Sequence, residues 1–248
     1  MIVLKSSQEI ELMRQAGRIA GEVLHELSLA VKPGITTASL DNLALRCIRK
    51  NNAEPAFLGY NGFPACICTS INEEVVHGIP GLRRLKSGDI ISIDVGVLYK
   101  GYYGDAAATF PVGKVSPLAA QLIEVTRESL NQAVNKAVPG NRLYDISNAV
   151  QSYVESKGFS VVRNYVGHGI GSNLHEEPQV PNFGLPGKGP LLEPGMVLAI
   201  EPMVNTGTWE VETLDDQWTV VTRDRRLSAH FEHSVAILQD GPEILTSF

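Results

Sequence analysis

The chain has 248 residues, of which 44% are hydrophobic, and its formal net charge is −6. This length allows one large core or two small domains, and the lack of a Lys/Arg cluster argues against specific binding of nucleic acid. The sequence shows neither a run of ~20 apolar residues nor a signal peptide, so we expect a cytoplasmic protein with no membrane partner and with its three cysteines reduced.

The first half of the chain begins with two predicted helices. Ser6 followed by Glu9 has the form of a capping box at a helix N-terminus. Apolar residues at helical spacing continue to Leu27, and the KPG sequence at Lys32–Gly34 ends the helix. A second helix is predicted over residues 39–51. Its apolar face consists of Leu40, Leu43, Ala44, Cys47 and Ile48.

A β-hairpin is predicted after the helices. Apolar residues alternate along ISIDVGV, which indicates a strand, and Lys100–Gly101 is typical of a two-residue turn. A turn at this position pairs Asp94 with Ala107 and places Asp105 on the same face as Asp94. Two carboxylates then converge on one patch, where one of them would hold a proton unless a cation is bound.

The same order of elements starts again in the second half. Helices are predicted over residues 117–137 and 144–157. The first of them has apolar residues at Leu118, Leu122, Val125, Leu130 and Val134. Strand-like runs follow at FSVVRNYV, GMVLAIEPMV, QWTVVT and HFEHSVAIL.

An internal repeat relates the two halves. AVKPGITTASLDNLA resembles KAVPGNRLYDISNAV at an offset of 106 residues between the shared prolines. SGDIISID resembles EPGMVLAIE, where Asp94 and Glu201 are 107 residues apart. We therefore predict a single domain over 1–248, with halves of approximately 1–112 and 113–248. Helices followed by strands indicate an α+β fold, with helices on one face of a largely antiparallel sheet.

Four acidic residues lie in or beside predicted strands: Asp94, Asp105, Glu201 and Glu232. An ionised carboxylate in such a place is costly unless it is paired or bound to a cation. Any one of these acids alone could be an outward-facing surface residue. Four together, two of them related by the repeat, favour a cation-binding cluster where the halves meet.

The six histidines fall into three groups. His25 lies on the exposed side of the first predicted helix. His230 and His233 flank Glu232, where they either support a site or pack in the interior. Three more lie beside glycines and turns, where functional groups are often held: His77, His168 and His175. A single histidine of this kind can equally be structural.

Five motifs stand in a fixed order along the chain: ISIDVGV with Asp94, GYYGDAAATF with Asp105, GHGIGSNLHEEP with His168, LAIEPMV with Glu201, and HFEHSVAI with Glu232. In order and spacing they resemble the type I methionine aminopeptidases. The resemblance covers nearly the whole chain, including YNGFPACICTSINEEVVHGIPG before the first strand. Each motif is short, but the set together is highly specific.

The resemblance implies the pita-bread fold, in which a curved, largely antiparallel sheet is covered on its outer face by helices in two pseudo-symmetric halves. It implies a metal-dependent aminopeptidase that removes the N-terminal methionine from nascent proteins and peptides, with a small second residue preferred. The ribosome, where nascent chains emerge, is then a candidate partner.

The resemblance also implies a site for two divalent metal ions. The five residues that match the metal ligands are Asp94, Asp105, His168, Glu201 and Glu232, of which Asp105 and Glu232 match the bridging carboxylates. One imidazole and four carboxylates form an oxygen-rich ligand set, which favours Mn²⁺, Fe²⁺ or Co²⁺ over a structural zinc site.

Three residues match the catalytic groups of the family. Glu201 is expected to act as the general base towards water, His175 to polarise the scissile carbonyl, and His77 to orient the peptide. The glutamates beside His175, Glu176 and Glu177, are expected to hold its loop or orient its ring.

The substrate-binding residues carried over from the resemblance are Tyr60, Phe63, Cys68, His77, Leu174, His175 and Trp218. Leu174 departs from the aromatic residue that many relatives have at that place, and Phe63 lacks the hydroxyl of a tyrosine. The pocket is therefore expected to differ in shape, while the reaction stays the same.

Three alternatives share this fold. A proline-directed peptidase would have the same five ligands, but such enzymes usually carry an extra N-terminal domain, and the first helix here starts by Ser6. A creatinase-like hydrolase would lack the full ligand set. A non-catalytic binding protein would be expected to have lost some ligands or His175.

Overall fold

A computed structural model describes residues 1–247 of the chain. Its α-helices are α1 (Ser7–Ala30), α2 (Thr37–Lys50), α3 (Pro117–Val134) and α4 (Leu143–Ser156). The strands of the first half are β1 (Glu54–Pro55), β2 (Cys68–Ile71), β3 (Glu74–Val76), β4 (Ile90–Tyr99) and β5 (Tyr102–Pro111). Those of the second half are β6 (Ser160–Val161), β7 (Gly167–Gly169), β8 (Glu176–Val180), β9 (Val197–Ile200), β10 (Met203–Asn205), β11 (Val211–Thr213), β12 (Val220–Thr222), β13 (Ser228–His230), β14 (Glu232–Leu238) and β15 (Gly241–Ile244).

The helices begin where local capping signals place them. Ser6 caps α1 and forms the predicted capping box with Glu9. The predicted and observed bounds of α2, α3 and α4 differ by one to three residues, except at the start of α3, which is as predicted. Leu118 was predicted to belong to the apolar face of α3, which is wrong: it lies in the first turn and is 49% exposed, and the buried residues of the helix start at Ala119.

The central sheet has nine strands, in the order β1-β4-β5-β14-β9-β7-β8, with β2 paired to β4 and β15 paired to β14. All strand pairs recorded within residues 1–247 are antiparallel, as predicted. The sheet crosses from one half of the chain to the other where β5 pairs with β14. Two three-stranded sheets, β13-β10-β6 and β11-β12-β3, complete the fold.

The hairpin has the register that the sequence predicts. Asp94 pairs with Ala107, and the turn residues Lys100 and Gly101 have φ values of 49° and 84°. Positive φ at both central residues is the geometry of the turn that best matches the twist of a two-residue hairpin. The strand-like runs of the second half are less regular, because FSVVRNYV forms only β6 and GMVLAIEPMV is divided into β9 and β10 at Glu201.

Each half contributes a helix pair to the same side of the fold. One core cluster combines α1 and α2 with β4 and β5, and another combines α3 and α4 with β9 and β14. This arrangement is the α+β architecture with helices covering a curved antiparallel sheet. Within residues 1–247, no helix is both long enough and apolar enough to cross a membrane.

Candidate active site

A cavity of about 200 Å³ opens on the face of the central sheet where the two halves meet. Every residue that the sequence analysis assigned to metal binding, catalysis or substrate binding lines it: Tyr60, Phe63, Cys68, His77, Asp94, Asp105, His168, Leu174, His175, Glu201, Trp218 and Glu232. The tertiary fold therefore brings together side chains that are spread over more than 170 residues of sequence.

Strand register explains how the acidic residues converge. Ala107 of β5 is paired with Asp94 of β4 on one side and with Glu232 of β14 on the other. Asp105 lies two residues from Ala107 and therefore points to the same face of the sheet. Four carboxyl groups, counting Glu201 at the end of β9, thus reach one cavity from four neighbouring strands.

His168 of β7 completes the cluster. Its Nε2 lies 3.6 Å from Glu201 Oε1 and 4.0 Å from Asp105 Oδ2. Potential ligand atoms of Asp105, His168 and Glu232 all lie within 4.8 Å of one another. One carboxylate oxygen each of Asp94, Asp105 and Glu232 is buried and makes no hydrogen bond. Buried polar atoms are rarely left without partners, so these oxygens fit a cation better than an empty cavity.

Burial makes the charged state of these acids unfavourable when no cation is bound. It raises the pKa of Asp94 to about 7 and that of Glu201 to about 8. Burial, reinforced by the charges of the neighbouring acids, raises the pKa of Asp105 and of Glu232 well above the usual range. A divalent cation would remove this penalty, because it stabilises the ionised carboxylates.

The histidines of the site are poised in the neutral form. Burial lowers the pKa of His168 to about 4 and that of His77 to about 4, and it also lowers the pKa of His175. A neutral imidazole can bind a metal through one nitrogen and hydrogen-bond through the other. His168 Nδ1 lies 2.9 Å from the Gly169 carbonyl oxygen, which leaves Nε2 facing the acids.

His175 lies at the mouth of the cavity, above His168. The two imidazole centroids are 4.2 Å apart. The hydroxyl of Tyr60 lies 2.8 Å from Nδ1 of His175, and the two rings are stacked. The ring of His175 is therefore oriented by Tyr60. Glu176, one of the two glutamates expected to hold the loop or orient the ring, accepts a hydrogen bond from the loop nitrogen of Asn173.

The opposite wall of the cavity is aromatic. Trp218 makes edge-to-face contacts with Phe63 and with His77, at centroid distances of 5.1 and 6.4 Å. His77 has a φ of 60°, an uncommon conformation outside glycine that often occurs at functional sites. Cys68 and Leu174 are buried beside these rings and continue the apolar wall.

Three residues at or beside the site were not assigned a function from the sequence. Phe57 and Asn61 line the cavity, and Asn61 has a φ of 49°. The GYNG sequence around Asn61 is typical of a turn, but a turn signal does not indicate what the turn faces. His230 is buried behind the cavity, with Nε2 3.5 Å from Glu201 Oε2. The feature of the sequence that pointed to His230 was its position two residues before Glu232.

Comparisons with known proteins agree with this geometry. The model of metallopeptidase family M24 matches residues 11–239. A methionine aminopeptidase from Clostridium acetobutylicum is 62% identical over 247 residues, which cover 99% of both chains. The crystal structure of a methionine aminopeptidase from Thermotoga maritima is similar over 100% of both chains, with a TM-score of 0.99 and 48% identity.

A more distant neighbour shares the fold alone. A prolidase from Pyrococcus furiosus superimposes with a TM-score of 0.80 at 23% identity, over 99% of this chain and 66% of the prolidase. The full-length matches at much higher identity are to methionine aminopeptidases. The chain therefore belongs to metallopeptidase family M24 and, within it, to the type I methionine aminopeptidases.

Proposed function

We propose that this protein removes the N-terminal methionine of peptides and nascent chains with two divalent metal ions held by five side chains. Metal-dependent methionine removal is the activity of the family to which the chain belongs. The observation that carries the assignment of residues is the single cavity lined by all of those predicted for metal, catalysis and substrate.

The proposed ligands are Asp94, Asp105, His168, Glu201 and Glu232. Their support is the close approach of donor atoms and the buried carboxylate oxygens without hydrogen-bond partners. Four carboxylates can neutralise two divalent ions, and we propose Mn²⁺, Fe²⁺ or Co²⁺ because the set is rich in oxygen. Asp105 and Glu232 lie on neighbouring strands, where both carboxylates would help to hold the ions.

When bound, divalent ions in such a site supply Lewis acidity and lower the pKa of water. We propose that Glu201 takes the proton from the water that attacks the scissile carbonyl carbon, and that this proton passes to the leaving amide nitrogen as the peptide bond breaks. His175, at the cavity mouth, donates a hydrogen bond towards the scissile carbonyl oxygen, and the Tyr60 hydroxyl at Nδ1 holds its ring in place. His77 orients the peptide from the opposite wall.

The methionine side chain is proposed to enter the apolar part of the cavity. Its walls are Tyr60, Phe63, Cys68, His77, Leu174 and Trp218. An unbranched thioether packs well against aromatic rings of this kind. A small second residue is expected to be preferred, as in the family that the chain belongs to.

The proposal can be tested with chelated protein. The measurement is the turnover of Met-Ala and Met-Leu peptides before and after titration with Mn²⁺, Fe²⁺ or Co²⁺. We expect no activity without metal, and cleavage of Met-Ala well above Met-Leu once metal is added. Metal content measured by mass spectrometry should reach two ions per chain. Saturation at one ion would contradict the dinuclear site.

The same assay separates the alternatives. Cleavage of Ala-Pro peptides in preference to Met-Ala would favour a proline-directed peptidase. Binding of peptide without cleavage under any of the three metals would favour a binding protein.

We also propose a cytoplasmic location, with nascent chains at the ribosome as the substrate pool. The three cysteines are free thiols, as expected in a reducing compartment.

A further inference from the structure

A buried salt bridge outside the substrate cavity links the segment before α1 to the loop that carries His175. Lys5 Nζ lies 2.5 Å from Glu176 Oε2, and the two side chains are only 3% and 9% exposed. Lysine and glutamate are rarely buried this fully unless they are paired. A buried pair of this kind adds little net stability compared with apolar residues, so stability alone does not explain it.

Each partner is fixed by further hydrogen bonds. The backbone nitrogen of Lys5 donates to the Gly195 carbonyl oxygen at 2.7 Å, and its Nζ donates to the Val3 carbonyl oxygen at 3.0 Å. Glu176 uses its second oxygen, Oε1, to accept from the Asn173 nitrogen at 3.1 Å. The pair therefore joins the chain just before β9 to the loop between β7 and β8.

Gly171 shows how closely the pair packs on the loop backbone. A Cβ atom at Gly171 would lie 2.5 Å from both Lys5 Cε and Glu176 Oε1. The loop also contacts β5, because the backbone nitrogen of Tyr103 donates a hydrogen bond to the Gly171 carbonyl oxygen at 3.0 Å. The loop is thus held between β5 and the Lys5 side chain, and its last residue is His175.

We propose that Lys5 is a positioning residue for His175. The Lys5–Glu176 pair fixes the loop 171–175, so that the imidazole stays in hydrogen-bonding contact with Tyr60 and above His168. Neither member of the pair is among the described residues that line the cavity, so both act through the loop. The inference rests on the proposed catalytic role of His175.

The test uses K5M/E176Q in the full chain, because this double variant removes both charges and leaves no unpaired buried ion. The matched control is K114M, which alters an exposed lysine between β5 and α3. For K5M/E176Q we expect kcat to fall about tenfold to hundredfold, as a displaced catalytic group does. KM and Mn²⁺ affinity should change less than about twofold, because the other contacts are kept.

A double-mutant cycle separates positioning from a general structural effect. In the H175A background, K5M/E176Q should cause no further loss of kcat, because the residue through which Lys5 acts is gone. A loss as large as in the wild type would overturn the proposal. So would wild-type kcat in K5M/E176Q.

Two further measurements test the inference independently of the kcat of K5M/E176Q. In metal-free protein, the imidazole ¹⁵N–¹H signals of His175 should shift in K5M/E176Q and stay unchanged in K114M; an unchanged His175 signal in K5M/E176Q would contradict the proposal. K5R keeps the charge and should lose less kcat than K5M/E176Q, and it replaces the double variant if that variant does not fold. Absence of cleavage by wild-type protein would count against the proposed function, while the His175 signal would still test the ion pair.

Discussion

Glu201 shows most clearly how neighbouring residues define the chemistry of a side chain. Its two carboxylate oxygens face different imidazoles: Oε1 lies 3.6 Å from His168 Nε2, and Oε2 lies 3.5 Å from His230 Nε2. Burial raises its pKa to about 8, which is unusual for a glutamate. A carboxyl group with a perturbed pKa inside a cavity, next to candidate metal ligands, indicates a functional site, and a bound cation would keep Glu201 ionised for its proposed role as base and ligand.

Replacement of Glu201 by glutamine should abolish most activity while preserving the fold. The amide has nearly the same shape but cannot take a proton, so we expect kcat for a Met-Ala peptide to fall by about 10²–10⁴. Steady-state kinetics together with a thermal melt measure both effects. E193Q, at an exposed glutamate, is the control. Near wild-type turnover in E201Q would show that the base is another group.

The pH dependence of the metal-free protein follows from the buried carboxyls. Because the folded-state pKa of Asp94 is about 7 and that of Glu201 about 8, both above their ordinary values, each stabilises the fold only while protonated. Stability should therefore fall as the pH rises from the ordinary pKa of each acid to its folded-state value, above which the contribution of that acid levels off. The histidines whose pKa is lowered to about 4, such as His168, have the opposite effect on stability. They act only below pH 6.5, which is their ordinary pKa.

We therefore expect the Tm of chelated protein to decrease between pH 6.5 and about pH 8, and the increase in Tm caused by Mn²⁺ to grow over the same range. Differential scanning calorimetry with and without metal measures both. D94N should make the decrease below about pH 7 smaller in the metal-free protein. A metal-free Tm that stays constant or rises with pH would contradict the assignment.

At the scale of elements, local signals determined where helices and the hairpin begin and end. The capping box at Ser6 and the turn at Lys100–Gly101 were predicted correctly because they depend on residues close in sequence. The short strands β6 and β10 were less predictable, since their extent depends on pairing with each other across some 40 residues. Local sequence signals also did not reveal close packing between elements, such as the contact of Gly104 in β5 with α1.

Gly104→Ala should destabilise the contact between β5 and α1. An added Cβ would lie 2.5 Å from the backbone nitrogen of Gly17, where no side chain can move aside. Overpacking of this kind typically costs about 1–3 kcal/mol. Urea denaturation of metal-free protein measures the change, with G81A as the control because nothing lies within 4 Å of that position. Equal stability of the two variants would show that α1 can shift away from the strand.

At the scale of the whole molecule, the sheet is continuous between the halves. Where β5 of the first half pairs with β14 of the second, the Ser234 hydroxyl donates to the Asp105 carbonyl oxygen and accepts from the Asp105 nitrogen. In the same strand pair, Glu232 lies opposite Ala107. Asp94 and Asp105 come from the first half, whereas His168, Glu201 and Glu232 come from the second. The cavity therefore requires both halves, while the single domain over 1–248 stays a prediction.

Unfolding of the metal-free protein should be a single cooperative transition. Both tryptophans, Trp209 and Trp218, lie in the second half, so their fluorescence reports on it. Amide hydrogen exchange of β4 reports on the first half. The two should give the same free energy of unfolding, because the halves share one sheet. Fluorescence loss in urea while β4 remains protected would instead show two separate domains.

The sequence by itself determined the order of elements, the internal repeat, the hairpin register and the residue types of the site. These features depend on neighbouring residues or on short motifs in a fixed order. Only the tertiary structure decided that β5 and β14 join the halves, that Tyr60 orients His175, that His230 faces Glu201, and that Lys5 is buried against Glu176. Such contacts join residues far apart in sequence, where no local periodicity records them. The raised pKa values have the same origin, because desolvation depends on everything that packs around a group and not on its neighbours along the chain.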